Sequence, residues 1–390
     1  MSIENDFPRE LLQQSASIRL EYFKTYTMAH PLLKEAKEKL KSAILQPASS
    51  QLVFVFGPTG VGKTTLRKRI QEALSEELLP ILESDPGRIP FVDIEAIGPD
   101  SGNWSWKDFY RRLLEASNEP LIKYKVNPDS EHYKNTGAIG IRATTPVTEL
   151  RYAAEQALHY RKPAAVFIDE AQHLAKMASG RRLQDQLDSI KSLASMTGTI
   201  HVLLGTYELL VFRNLSGQLS RRSIDIHFRR YRAESSADAN VFKDILWTFQ
   251  QYLPVGEEPD LVQHWEYLYQ RSIGCVGILK DWLTRALNIS IKEGANSLKL
   301  NHLQATALSV SQCEKMISEI IEGESLIEEK PGAERRLQQL LGFDSSSDAT
   351  GDHQPESTVP DQKQARKPKL KPGIRKPKRD AVGRQTQNDV

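Results

Sequence analysis

Two cysteines in 390 residues, Cys275 and Cys313, stand far apart, without a neighbouring histidine or second cysteine. Their scarcity excludes a disulfide framework and a cysteine-built zinc site, and leaves both thiols as packing residues. No apolar stretch approaches the roughly 20 residues that cross a bilayer, and Pro8 with its polar neighbours stands where a signal peptide would have its apolar centre. These absences predict a cytoplasmic protein with no membrane partner. Net charge is low as well, because 52 Lys and Arg offset 50 Asp and Glu to leave +2. That balance conceals an asymmetry: residues 362–384 are strongly basic, so the remainder is near neutral or slightly acidic. Hydrophobic residues make up 39% of the chain, enough for a substantial core in two or three domains.

What is present begins with Leu52-Val53-Phe54-Val55-Phe56, which runs directly into GPTGVGKTT at Gly57 to Thr65. Leu66, Ile70 and Leu74 follow at helical spacing, so the stretch reads strand, loop, helix. Gly57, Gly60 and Gly62 let the backbone curl so that its N–H groups converge, and the helix opening near Lys63 aims its positive dipole at the same point. Pro58, Thr59, Val61 and Thr65 complete a phosphate-binding loop. Lys63 would reach the β- and γ-phosphates of ATP, and the Thr64 hydroxyl would ligate Mg²⁺. An ordinary Gly-rich strand-to-helix turn is the plainer alternative.

A second buried-strand pattern, Ala164 to Ile168, ends in Asp169-Glu170, at the carboxyl end where parallel sheets place ligands. Asp169 is the expected outer-shell partner of Mg²⁺, and Glu170 the group that polarises a water for attack on the γ-phosphate. Ile200 to Gly205 is a further strand ending at Thr206, whose hydroxyl would hold the attacking water between the acidic strand and the loop. Arg221 and Arg222 precede the strand Ile224 to Phe228. A guanidinium there would bind a neighbouring subunit's γ-phosphate bidentately, or else complement the end of its own helix, read from Leu209 to Leu219.

The rest of the chain frames these motifs. Residues 1–48 read as helices closing over the adenine side, with Pro31 in a first turn. Residues 49–235 form the α/β core, with another strand at Pro90 to Ile97. Trp104 and Trp106 either anchor a helix on the sheet or stack on a base. The polar connection from Glu119 to Val147 carries Lys123, Lys125, Lys134, Arg142, Thr144 and Thr145, suited to a nucleic-acid backbone or to a solvated insertion. Residues 236–322 read as a small helical lid, with helices at 241–253, 261–270, 276–293 and 300–321. Residues 323–343 hold one more possible helix. Residues 344–390 are too polar to fold alone, a disordered basic tail that would bind nucleic acid, bind a partner protein or keep the chain in solution.

The order of phosphate loop, acidic strand, Thr-ended strand, arginine pair and helical lid resembles the AAA+ ATPases, an α/β three-layer fold on a parallel sheet. More narrowly, the chain resembles the TnsC/TniB family of ATPase regulators of heteromeric cut-and-paste transposons, some of them CRISPR-associated. The resemblance is carried by His30-Pro31, GPTGVGKTT at 57–65, NWSWKDFYRRLLEASNEPL at 103–121, VFIDEAQHL at 166–174, LLGTYELL at 203–210 and GCVGILKDWL at 274–283. It implies a bacterial protein that assembles as a homo-oligomeric ring or filament on double-stranded DNA with ATP and links a TniQ- or TnsD-like target selector to a transposase. It further implies disassembly on hydrolysis, Thr206 as the first sensor, Arg221 or Arg222 as the finger, and a carboxyl terminus that engages transposase. One departure is visible: Ile278 stands where a lid sensor arginine is expected, and Lys280 is the nearest cation. Two rival readings share the motifs, a replication initiator or helicase loader and a signalling or secretion ATPase that assembles without DNA.

Overall fold

The computed structural model describes residues 7–98, 104–122, 125, 146–176, 181–213, 223–329 and 331–343. At its centre lies a five-stranded parallel sheet: β1 (Leu52–Phe56), β2 (Phe91–Glu95), β3 (Ala165–Asp169), β4 (Ile200–Gly205) and β5 (Ser223–His227), in the order β2-β3-β4-β1-β5. Strands β1, β3 and β4 are buried along their whole length, which is why they read as unbroken apolar runs. Alternation still sorts their side chains: Val53 and Val55 enter one core layer, while Leu52, Phe54 and Phe56 enter the other.

On the first face pack α2 (Pro31–Leu45) and α3 (Lys63–Ser84). The second face is covered by α4 (Trp106–Ala116), α5 (Val147–Arg161) and α7 (Arg181–Thr197), the short α6 (Gln172–Lys176) lying between β3 and α7. Trp104 and Trp106 pack with Phe109 and Tyr110 against this second layer, so they anchor α4. The result is the three-layer α/β fold expected from the motifs. α1 (Ala16–Thr25) precedes α2, and the short α8 (Leu210–Arg213) follows the turn after β4.

The segment expected as a helical lid holds α9 (Ser236–Tyr252), α10 (Trp265–Ser272), α11 (Val276–Lys292), α12 (Leu300–Thr306) and α13 (Val310–Ser325), within the same compact unit as the sheet. Three boundaries differ from the periodicity, the first at α9, which starts at Ser236 under a Ser235 cap instead of at Val241. The helix expected over 300–321 is two helices, because Ala307 is extended and Ser309 starts α13 with a capping box to Gln312. Residues 261–264 form turns, so α10 starts at Trp265 instead of Leu261. Residues 329–390 form a separate unit, whose described part holds α14 (Ala333–Leu340), a helix without a buried residue. The proposed basic tail, 344–390, lies outside the described residues. No helix among the described residues is long and apolar enough to cross a membrane.

Three histidines are built in as neutral rings. The Nδ1 of His30 accepts hydrogen bonds from the Tyr231 hydroxyl at 3.0 Å and the Leu33 N–H at 3.4 Å, capping α2. His201 is fully buried on β4 and donates from Nδ1 to the Thr199 carbonyl at 2.9 Å. His227 ends β5 with its Nε2 2.9 Å from the Tyr207 hydroxyl. Burial pushes all three down to about 4, aided at His227 by Arg232, Arg229 and Lys39. In the unfolded chain each takes its proton near 6.5, roughly the free value, so between there and about 4 the unfolded state binds more protons. Stability is full above about pH 6.5 and falls as pH falls through that window. Thermal unfolding at about pH 5 is expected at a midpoint several degrees below that at about pH 7.5, and an unchanged midpoint would mean that the rings accept protons without cost.

Candidate nucleotide site

Sheet order brings the motifs together. β4 lies between β1 and β3, with Phe56 opposite Gly205 and Ile168 opposite Leu203. The carboxyl ends of three neighbouring strands therefore present the Gly-rich loop, Thr206 and the Asp169-Glu170 pair side by side. They line a cavity of about 520 Å³ that includes Thr59 to Thr65, Asp169, Glu170, Gln172, His173 and Thr206. Tyr26, Thr27, Met28, His30 and Leu33 close one side, and Val276, Gly277, Lys280 and Asp281 of the lid close another.

The loop leaves little room for side chains. Gly60 has φ +74° and Gly62 φ +115°, the left-handed region glycine favours. A Cβ on Gly57 would lie 2.0 Å from the Phe228 carbonyl oxygen, and one on Gly277 would lie 2.4 Å from the Gly60 carbonyl oxygen. The lid thus meets the loop backbone to backbone, and the Ile278 N–H donates to the Gly60 carbonyl at 3.1 Å. Ile278, at the sequence position where a lid arginine is expected, thus packs on the loop. Lys280 points elsewhere: its ammonium sits 3.4 Å from the Phe23 ring centroid and donates to the Phe23 carbonyl, which ties α1 to α11. Burial pushes it down to about 7.

Lys63 donates to the Gly57 and Pro58 carbonyls at 3.0 and 2.9 Å, and burial pushes it down to about 8 despite the charges of Glu170 and Asp169. An ammonium held by loop carbonyls is available to a stronger, anionic acceptor. Asp169 is buried, which raises its carboxyl above the usual range, with Arg67 the largest opposing influence. Its Oδ1 accepts from the Glu170 N–H at 3.0 Å. Glu170 itself adopts φ +52°, uncommon for a residue with a side chain and typical of strained site positions. The Thr206 hydroxyl is buried and has no hydrogen-bond partner among the described residues. Such an orphan costs free energy unless something enters the cavity to meet it.

Gln172 carries a contact that the motif reading passed over. Its amide nitrogen donates to the Glu170 carboxylate while its oxygen accepts from the Thr206 N–H at 3.3 Å, so it bridges the ends of β3 and β4. A Cβ at Gly205 would come within 2.3 Å of that amide oxygen. Nothing local in the sequence marks this role, because the second partner comes from a strand 34 residues away.

Residues 48–211 match the AAA domain family. The chain is also similar in structure to the Aeropyrum pernix ORC1 protein in complex with DNA, at 17% identity over 78% of this chain and 70% of that one, with a TM-score of 0.50. The core is an AAA+ ATPase domain. ATP hydrolysis is its chemistry. The A. pernix ORC2 protein with ADPNP and ADP is similar over 75% of this chain and 71% of that one, at 17% identity and TM-score 0.46. No curated protein matches the sequence.

The described residues of this AAA+ ATPase include only part of the expected machinery. Arg221 and Arg222, and Lys123, Lys134, Arg142, Thr144 and Thr145, lie outside the described residues. Lys125 is described and is paired with Glu119 at 2.8 Å.

Proposed function

We propose that this AAA+ ATPase assembles in multiple copies on double-stranded DNA when ATP is bound, and links a TniQ- or TnsD-like target selector to a transposase. The observation that carries the nucleotide part is the meeting of three strand ends at one open cavity, with the Thr206 hydroxyl buried there and unpartnered among the described residues. In this reading the loop amides and Lys63 bind the phosphates, Glu170 takes the proton from the attacking water and Thr206 holds that water. Thr64 and Asp169 would hold magnesium, which when bound neutralises charge between the β- and γ-phosphates. Their hard oxygen donors line the same cavity and suit that ion. Among the described residues no group of three His, Cys, Asp or Glu could hold a metal by itself. Waters and nucleotide phosphates would supply the remaining ligands, as is usual for magnesium.

Assembly would depend on nucleotide because Arg221 or Arg222 of a neighbouring copy gains most when a γ-phosphate is present. Lys123, Lys125, Lys134, Arg142 and Thr145 would meet DNA phosphates, which makes binding sequence-neutral and salt-sensitive, with a slope of about −0.9 per phosphate neutralised. DNA is supported by the TnsC/TniB resemblance and by a fold neighbour whose structure is a DNA complex. The basic segment 362–384 would engage the transposase.

Negative-stain microscopy with plain duplex DNA tests this directly. Rings or filaments on DNA are expected with ATP or a non-hydrolysable analogue and not with ADP. Assemblies indifferent to DNA would move the assignment to a signalling or secretion ATPase.

A further inference from the structure

Two residues outside the recognised motifs meet the acidic strand from below. Strand alternation places Asp93 and Asp169 on the sheet face that α3 covers, since Phe167, opposite Asp93, shares that face with Asp169, opposite Glu95. Arg67 stands one helical turn beyond Lys63 on α3 and reaches both carboxylates. Its Nη1 donates to Asp93, and its Nε lies 3.3 Å from Oδ2 of Asp169. The side chains of Arg67 and Asp169 are 14% and 9% exposed, so the pair is held largely away from water.

We propose that Arg67 is a positioning residue of the ATPase site: it fixes the orientation in which Asp169 meets the magnesium–nucleotide complex, and Asp93 holds the guanidinium in place. The inference rests on the reading of Thr64 and Asp169 as the magnesium side of the cavity. An aspartate has two side-chain torsions to settle. The Glu170 N–H donates to one oxygen, and the Arg67 guanidinium attracts the other by charge at 3.3 Å without a hydrogen bond from its Nε, which together favour one pose of the carboxylate. Magnesium demands near-octahedral geometry and dehydrates reluctantly, so the pose matters more than for a softer ion. Asp93 adds a second effect. A guanidinium shared between two carboxylates leaves the triad with one net negative charge, so Asp169 keeps its attraction for a cation. A fork of planar donors can serve two acceptors in this way, whereas a lysine's point charge cannot do so with the same geometry.

The test is the affinity of a fluorescent ATP analogue, measured in excess EDTA and then through a magnesium titration. In wild-type protein magnesium is expected to tighten binding. In Arg67→Gln the magnesium needed for that tightening is expected to rise up to about 10-fold, the lower end of what removing an outer-shell group costs, since Asp169 itself meets the ion from the outer shell. Binding in EDTA should stay close to wild type, because the loop and Lys63 are untouched. Asp93→Asn should shift the titration the same way, and Arg67→Lys should recover part of it, which also covers the case in which Arg67→Gln fails to fold. Unchanged titrations in the Arg67 and Asp93 variants would overturn the proposal, as would an equal loss of binding in EDTA, the mark of a fold support only. A wild-type protein indifferent to magnesium would instead remove the magnesium assignment of Thr64 and Asp169, and the proposal with it.

Discussion

Lys63→Ala protein is expected to lose ATP binding by at least about 100-fold while remaining folded. That factor follows from the loss of two charge-assisted hydrogen bonds of at least about 1.5 kcal/mol each, about 3 kcal/mol together. Lys63 sits at the start of α3 with its ammonium on the Gly57 and Pro58 carbonyls. Burial disfavours its charged form, so the ammonium stands in a site that stabilises it poorly without an anion. Phosphate relieves that cost, and the relief is part of the binding free energy. Removing the charge should therefore weaken triphosphate and diphosphate alike. Calorimetry or a fluorescent analogue measures this, and near-normal affinity would place the phosphates elsewhere. The backbone of the loop is set by Gly57, Gly60 and Gly62, so circular dichroism and the unfolding midpoint should change little.

Glu170→Gln should behave in the opposite way, binding ATP normally while turnover falls about 10²–10⁴-fold, the range contributed by a positioned general base. The amide keeps the shape of the carboxylate but cannot accept the proton from water. Gln172 makes the outcome more specific. In the wild-type chain its amide nitrogen donates to the Glu170 carboxylate, and in the variant that bond survives only if the new amide turns its oxygen toward Gln172; with its nitrogen there, Gln172 would have to flip. If it flips, its hydrogen bond from the Thr206 N–H is lost. Single-turnover hydrolysis with saturating ATP separates chemistry from binding. Turnover within a factor of a few of wild type would remove Glu170 as the base.

Much of the site was legible from local pattern. An apolar run ending in GPTGVGKTT can bury both faces of a strand and still turn tightly, and Asp169-Glu170 closes a second such run. These are short-range features, set by which residues tolerate a left-handed turn and which fill a sheet. Periodicity misleads at Ser309, where the apolar positions continue across a helix break. There the capping box to Gln312, itself local, was the signal that went unread.

Residue type and chain order dictate the elements and their succession: strands that must be covered on both faces, a loop that only glycines can form and a Thr-ended strand after an acidic one. Folding decided what these elements do to each other. Insertion of β4 between β1 and β3 sets Thr206 beside the acidic pair, and no spacing along the chain encodes which strands become neighbours. The same holds for Gln172 bridging two strand ends, for Gly277 pressed on Gly60 and for Lys280 turned onto Phe23. It holds also for Arg67, one of several cations in the first turns of α3 until the sheet brings Asp93 and Asp169 beneath it. Each depends on contacts between residues tens to hundreds of positions apart, and their energies exist only once the core has brought the elements within reach.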